Sequence, residues 1–182
     1  MATGTKIQKR QKYKLRISNS KKEPYSLGDN KKFTPPASKK DKPKVYTVSS
    51  NGKLHYVGIT RQSMSARLRY GLSLKAMGKQ RHGYHGYKLE PGNYILHVWS
   101  FDKSPQNKNE ANEELETIEA EVVFLCRILT GQWPKSQNEI HFHQSESLHR
   151  ELALTIYQNL QSRKLRMESG FNLGIQKGAR KE

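Results

Sequence analysis

The sequence predicts a small α/β layer fold of the α+β type, in which helices cover a mostly antiparallel sheet. Three features lead to this prediction: a tight-turn signal at Asn51-Gly52, three segments with the alternation of strands, and three segments with the apolar spacing of helices. The predicted order β, β, α, β, α, α is typical of one small layered domain. A length of 182 residues allows one such domain with tails.

The first two strands are predicted as a hairpin at residues 44–49 and 54–59. Both segments alternate apolar and polar side chains, and Asn51-Gly52 between them is the strongest two-residue hairpin signal. The two strands are therefore expected to be antiparallel neighbours.

A helix is predicted at residues 63–77, directly after the hairpin. Met64, Leu68 and Leu72 lie near helical spacing, and Ser63 or Ser65 is available as the N-cap. The glycines of residues 78–92 indicate a loop. A third strand is expected at 94–101, which is rich in aromatic and β-branched residues.

Two further helices are predicted at residues 110–129 and 147–165. In the first, apolar residues recur at steps of three and four, and Gly131 supplies a stop. In the second, Leu148, Leu152, Ile156 and Leu160 form a stripe at four-residue steps.

The composition indicates a polyanionic partner and one modest core. The chain has 33 Lys and Arg against 16 Asp and Glu, with a formal net charge of +17. Nine Tyr, five Phe and two Trp argue against a fully disordered chain.

The single Cys126 excludes an internal disulfide, and since no signal peptide is evident we expect an intracellular, cytoplasmic setting. No apolar run approaches the roughly 18 to 20 residues of a membrane span, so we expect no membrane partner.

The positive charge is concentrated in the first quarter of the chain. Residues 1–44 contain 14 Lys or Arg and three acidic residues, with no sustained apolar period. We therefore expect a flexible basic arm at 1–43, a domain at 44–165 and a basic tail at 166–182. Solubility alone would explain the arm, and a mitochondrial presequence is disfavoured because the charge is mostly Lys. The functional alternative is that its cations neutralise DNA phosphates; the expected contacts are Lys39, Lys40, Lys42 and Lys44.

Six glutamates fall within twelve residues of the helix at 110–129. Acids in its first turn favour the positive end of the helix dipole and need no function. Glu119 and Glu121 lie deeper and flank the apolar stripe. Each is either part of a solvated face or an oxygen ligand for a hard divalent cation such as Mg²⁺.

Three arginines stand at the start of the helix at 63–77. Arg61 and Arg69 are expected to contact nucleic acid, and Arg67 could hold a phosphate between strand and helix by bidentate hydrogen bonds. Tyr46 and Tyr56 lie on the paired strands, where ordinary packing would explain either tyrosine alone.

The order of short motifs over residues 44–142 resembles the hallmark of the GIY-YIG nuclease superfamily. The motifs are Val45-Tyr46-Thr47, Tyr56-Val57-Gly58-Ile59-Thr60, Ala66-Arg67-Leu68 and Ile118-Glu119-Ala120-Glu121-Val122-Val123. Pro134 and Asn138 are similar to the pair that closes the family's core. The resemblance implies a three-stranded antiparallel sheet flanked by helices, and cleavage of DNA phosphodiesters with one Mg²⁺ or Mn²⁺ ion per active site.

The resemblance also implies roles for individual residues. Tyr46 would position or deprotonate the attacking water, Tyr56 would lie beside the phosphate, and Arg67 would stabilise the charge that develops there. Glu119 would ligate the metal, with Glu121 as the reserve choice. Gly58 and Asn138 would be structural. Phosphodiester hydrolysis needs an oriented water, a cation on a non-bridging oxygen and fixed positive charge, and these groups supply them.

Some positions depart from the family pattern. Lys44 and Val45 stand where the name motif has Gly and Ile, and Gly71 stands where many relatives have His or Tyr. His85 or Lys88 could replace the missing proton-transfer group, although such residues in a Gly-rich loop usually contact only solvent. His141 and His143 alternate as metal ligands can, but without Cys partners they are a weak zinc signal.

We therefore expect a free-standing DNA endonuclease, of the restriction or mobile-element kind, for which a homodimer would convert two nicks into one double-strand break. Phosphate contacts would come from the basic arm, and base contacts from the loop at 78–92. The alternative is a non-catalytic basic protein that binds RNA or DNA through charge alone.

Overall fold

The computed structural model describes residues 6–29, 32–76, 88–102, 108–137 and 140–160. These residues form an α+β fold with one antiparallel sheet, which confirms the predicted class. The strands are β1 (Ile7–Ile17), β2 (Tyr25–Leu27), β3 (Lys44–Ser50), β4 (Lys53–Thr60) and β5 (Gly92–Phe101). The helices are α1 (Met64–Ala76), α2 (Lys108–Thr130) and α3 (Ser147–Gln158). The sheet order is β2-β1-β5-β3-β4, so β4 is an edge strand.

The sheet has five strands, and the prediction of three is wrong. Two strands come from the segment that we expected to be a flexible arm: β1 pairs with β5 from Ile7 to Ile17, and β2 extends the sheet beyond β1. Tyr13, Leu15 and Ile17 are buried on one face of β1, while Lys14 and Arg16 between them are exposed. The buried residues of β1 fall at every second position, as in a strand with one buried face. The many basic residues between them made this alternation hard to detect in the sequence.

The hairpin prediction is confirmed. β3 and β4 pair from Lys44–Thr60 to Ser50–Lys53, and Asn51 and Gly52 between them have positive φ angles of 49° and 74°. Two successive positive φ angles are typical of the type I′ turn, whose twist matches that of the flanking strands.

The sheet separates two apolar cores. On one face, Tyr46 and Tyr56 pack with Met64 and Leu68 of α1. On the other face, Val57 belongs to the core formed with α2 and α3. Successive residues of a strand point to opposite faces. The two tyrosines therefore face α1, whereas α2 packs on the opposite face of the sheet, in which β4 is the outer strand.

Helices α1 and α2 begin and end close to the predicted positions, whereas α3 begins as predicted but ends at Gln158, seven residues before the predicted end at 165. The Ala66 amide donates to the Ser63 hydroxyl at 3.3 Å, so Ser63 is the N-cap of α1. Gly131 ends α2 with a φ of +73°, a conformation that favours glycine. In the described residues, no helix is both long enough and apolar enough to cross a membrane. The predicted tail at 166–182 lies outside the described residues.

Candidate active site

Tyr46 and Arg67 connect the sheet to α1. Tyr46 is completely buried in β3, the strand that pairs with the central strand β5. Its hydroxyl oxygen accepts a hydrogen bond from Nε of Arg67 at 3.3 Å. Ser63 caps α1 one turn before Arg67, and the Met64 amide donates to the Ala37 carbonyl at 3.0 Å, so the start of the helix is fixed to the segment that precedes β3.

Tyr56 lies beside Tyr46, with 6.0 Å between the ring centroids and 46° between the ring planes. Gly58, opposite Tyr46 in the β3–β4 pairing, leaves room for both rings. A β-carbon at Gly58 would lie 2.6 Å from the Tyr46 hydroxyl oxygen and 2.7 Å from Cε1 of Tyr56. The glycine that we expected to be structural thus allows the two phenols to occupy this position.

Glu119 approaches from α2, and Gln137 connects it to the edge of the sheet. Nε2 of Gln137 donates to Oε1 of Glu119 at 3.4 Å, and Oε1 of Gln137 accepts from the Val57 amide at 3.1 Å. The neighbouring Ser136 amide donates to the His55 carbonyl at 2.9 Å. The segment after α2 therefore runs along β4 and fixes the position of the carboxylate.

Gln137 was not predicted from the sequence. Its contacts join three segments that are remote in the chain, and no periodic pattern surrounds it. The one available signal was its position next to Asn138, which the family resemblance marks as structural. Asn138 itself lies outside the described residues, as does His85.

Burial dominates the protonation of Glu119 and raises its pKa to about 8. The hydrogen bond from Gln137 and the positive charge of Arg67 act in the opposite direction. Arg67 therefore donates a hydrogen bond to Tyr46 and acts by its charge on Glu119. This charge links α1 to the carboxylate on α2, and Gln137 links the same carboxylate to the edge strand β4.

Glu121 faces a different part of the molecule. Its Oε1 lies 3.8 Å from Nε of Arg150, so it forms an ion pair with α3. Of the two carboxylates proposed as metal ligands, the structure brings only Glu119 to the Tyr46–Arg67 pair.

Lys44 was predicted to contact nucleic acid, and the structure contradicts this. The residue is completely buried, and its Nζ donates to the carbonyl oxygens of Lys39, Lys42 and Gln62 at 2.9, 2.7 and 2.9 Å. Burial lowers the pKa of Lys44 to about 8. This lysine ties the segment before β3 to the segment before α1, and three carbonyl acceptors compensate its loss of solvent.

The other predicted contacts remain at the surface. Lys39, Lys40 and Arg69 are exposed, while Lys42 and Arg61 are partly buried. Lys88 is exposed just before β5, and in the described part of the chain no contact joins it to the Tyr46–Arg67 pair.

His141 and His143 pair with an acid. Oε2 of Glu116 lies 3.4 Å from Nδ1 of His141 and 2.7 Å from Nε2 of His143. Within the described ranges, no group of three or more His, Cys, Asp or Glu is arranged to hold a metal ion.

The donors at the candidate active site fit Mg²⁺ nonetheless, because this ion is commonly bound by one or two carboxylates together with substrate phosphates and water. Glu119 is a partly buried carboxylate whose ionised form a cation would stabilise.

Comparisons of the chain with models of protein families, with curated proteins and with solved structures found no match.

Proposed function

We propose that the protein is a metal-dependent DNA endonuclease, which hydrolyses phosphodiester bonds at the site formed by Tyr46, Tyr56, Arg67 and Glu119. The observation that supports this most directly is the position of Arg67. It donates a hydrogen bond to the Tyr46 phenol, and its charge acts on the Glu119 carboxylate. A guanidinium that is held by a phenol is suited to a phosphate, whose oxygens accept hydrogen bonds in the planar geometry that arginine offers.

In this proposal Arg67 binds a non-bridging oxygen of the scissile phosphate and stabilises the negative charge that develops there. The Tyr46 oxygen already accepts from Arg67, so its own proton can be directed to the attacking water or to the phosphate. Tyr56 packs against Tyr46 and completes the wall beside the phosphate. The fixed positions of these groups reduce the reorganisation that hydrolysis would otherwise require.

Glu119 is the residue that would hold a divalent cation, Mg²⁺ or Mn²⁺, with Gln137 fixing its orientation. When bound, the ion would polarise the phosphate and stabilise the negative charge that develops on its oxygens. Support by a neighbouring amide is typical of ligating carboxylates.

DNA is the proposed substrate because the chain carries a net charge of +17 and exposed lysines and arginines near the site. The proposal extends to a free-standing enzyme of the restriction or mobile-element kind. A homodimer would supply two such sites, one for each strand.

The test is cleavage of supercoiled plasmid by the purified chain with Mg²⁺ or Mn²⁺, compared with Glu119→Gln, Arg67→Gln and Tyr46→Phe. We expect Glu119→Gln and Arg67→Gln to lower the rate by roughly 100-fold or more. Glu121→Gln is the matched control, because Glu121 lies two residues away on the same helix and pairs with Arg150. It should cut at nearly the parent rate.

Two outcomes would contradict the proposal. Plasmid that stays intact with both metals would favour the non-catalytic nucleic-acid binding protein. Equal cutting by the parent and all variants would point to a contaminating nuclease.

A further inference from the structure

A basic cleft of about 930 Å³ opens beside the proposed active site. It lies between α1 and the two segments that precede β3 and α1. Its described lining includes Lys40, Arg61, Ser63, Arg69, Tyr70 and Ser73, with Asp41 as the one acidic residue among the described lining residues. Three cations against one acid among the described lining residues favour an anion in the cleft.

Arg61 indicates where an anion would bind. Its Nη1 is buried, and among the described residues it has no hydrogen-bond partner. A buried charged donor without an acceptor is costly, and a phosphate oxygen is an acceptor that would remove this cost. Arg61 is also close enough to the buried Lys44 for its charge to lower the pKa of that amine. A phosphate would therefore offset the repulsion between two cations as well.

Tyr70 indicates that the ligand carries a base as well as a phosphate. Its side chain is 45% exposed, although it belongs to a helix that packs on the core. An exposed aromatic ring within a positively charged groove is the usual arrangement for binding single-stranded nucleic acid, because unpaired bases stack on the ring while cations contact the backbone.

The position of the cleft connects it to the proposed chemistry. Tyr70 lies three residues after Arg67 on α1, and residues at this spacing are neighbours on a helix surface. The cleft therefore adjoins, on the surface of α1, the group proposed to bind the scissile phosphate. A base that remains in a duplex keeps both faces stacked and does not offer one to Tyr70.

We propose that this cleft binds one unpaired nucleotide of the nucleic-acid strand next to the scissile phosphate, with its phosphate on Arg61 and its base stacked on Tyr70. The identity of the strand rests on the proposed function, whereas binding in the cleft does not require cleavage. Arg69 and Lys40 flank the same backbone.

The test is fluorescence anisotropy with a labelled DNA strand of about 12 nucleotides and with its blunt duplex, in EDTA so that no strand is cut. We expect Tyr70→Ala to weaken single-strand binding by roughly tenfold while duplex binding changes less than about twofold. Tyr70→Trp should restore single-strand binding. Arg61→Gln should weaken single-strand binding.

Trp133→Ala is the matched control, because Trp133 is an aromatic of similar exposure, 47%, beside a different cation, Arg127. It should leave both affinities unchanged. An unchanged single-strand affinity in Tyr70→Ala would overturn the proposal, as would an equal loss on single strand and duplex, which would indicate backbone contact without stacking.

The two proposals fail separately. Tyr70-dependent single-strand binding by a chain that cuts no plasmid would retain the cleft and reject the nuclease. Glu119-dependent cutting with no effect of Tyr70→Ala on binding would retain the nuclease and reject the cleft.

Discussion

Gly58 and Tyr46 lie directly opposite each other on β4 and β3, and the Tyr46 phenol folds back over the glycine. A β-carbon at Gly58 would be 2.6 Å from the phenol oxygen, closer than any non-bonded contact allows. The obstructing atoms belong to two buried aromatic rings, Tyr46 and Tyr56, so a shift of either ring disturbs the core around it. The same relationship keeps the phenol within reach of Arg67.

Gly58→Ala should therefore displace Tyr46 and Tyr56. We expect a loss of roughly 1–3 kcal/mol in the free energy of unfolding, since an extra methyl in a packed core forces its neighbours to shift. Plasmid cleavage, if the proposed function holds, should fall by at least about tenfold, because a small misplacement of a catalytic group has a large effect on rate. Gly92→Ala is the control, because there a β-carbon would lie 3.6 Å from its nearest neighbour. Chemical denaturation that gives the same stability for the two variants would contradict this reading.

The Gln137→Ala variant tests whether Gln137 positions the Glu119 carboxylate for metal binding. Without its amide, Glu119 loses a donor and the Val57 amide loses its acceptor. We expect the Mg²⁺ concentration for half-maximal cutting to rise by roughly 10- to 100-fold, as is typical when a residue that orients a metal ligand is removed. A titration of cleavage rate against Mg²⁺ measures this. Gln132→Ala, in the exposed turn after α2, should behave as the parent; an unchanged Mg²⁺ requirement in Gln137→Ala would show that Glu119 does not depend on the amide.

Deletion of residues 1–40 should abolish folding, because it removes β1 and β2 and leaves β5 without one of its two partners. Circular dichroism should then show no cooperative thermal transition. A cooperative transition in the truncated chain would mean that the remaining three strands form a stable sheet.

Point substitutions test whether the basic face of β1 contacts DNA, because deletion of the strand is expected to unfold the chain. Lys12 and Arg16 are exposed on the same face of the strand, so Lys12→Gln with Arg16→Gln should preserve the fold. If DNA crosses this face, the slope of log affinity against log salt should fall by about two, nearly one for each lost phosphate contact. An unchanged slope would place DNA elsewhere.

His97 should make the protein sensitive to acid. Burial, together with the positive charges of Arg10 and Lys12, lowers the pKa of His97 from 6.5 to about 4. The unfolded chain binds this proton below about pH 6.5 and the folded chain only near pH 4, so stability contributed by neutral His97 is lost as the pH falls through this window. Between pH 7 and pH 5 the loss should be about 2 kcal/mol. Denaturation of the parent and His97→Leu at both values should show a smaller loss for the variant; parallel losses would contradict the assignment.

Much of the fold follows from local sequence. Asn51 and Gly52 determine the hairpin because few other residues adopt two successive positive φ angles. Ser63 and Gly131 mark the start of α1 and the end of α2 because caps satisfy backbone groups within one turn of themselves. The order of the short motifs around Tyr46, Tyr56, Arg67 and Glu119 also predicts which side chains belong to one site.

Tertiary structure decided what each charge does. Lys12 and Lys44 look alike in the sequence, yet one is exposed on β1 and the other is buried with three carbonyl acceptors. The placement of β1 beside β5, the choice of Glu119 over Glu121, and the bridge made by Gln137 all depend on contacts between distant segments. The free energy of burying or pairing a side chain depends on its neighbours in the folded structure, and many of these come from distant parts of the chain. The residues next to it in the sequence therefore do not determine that energy.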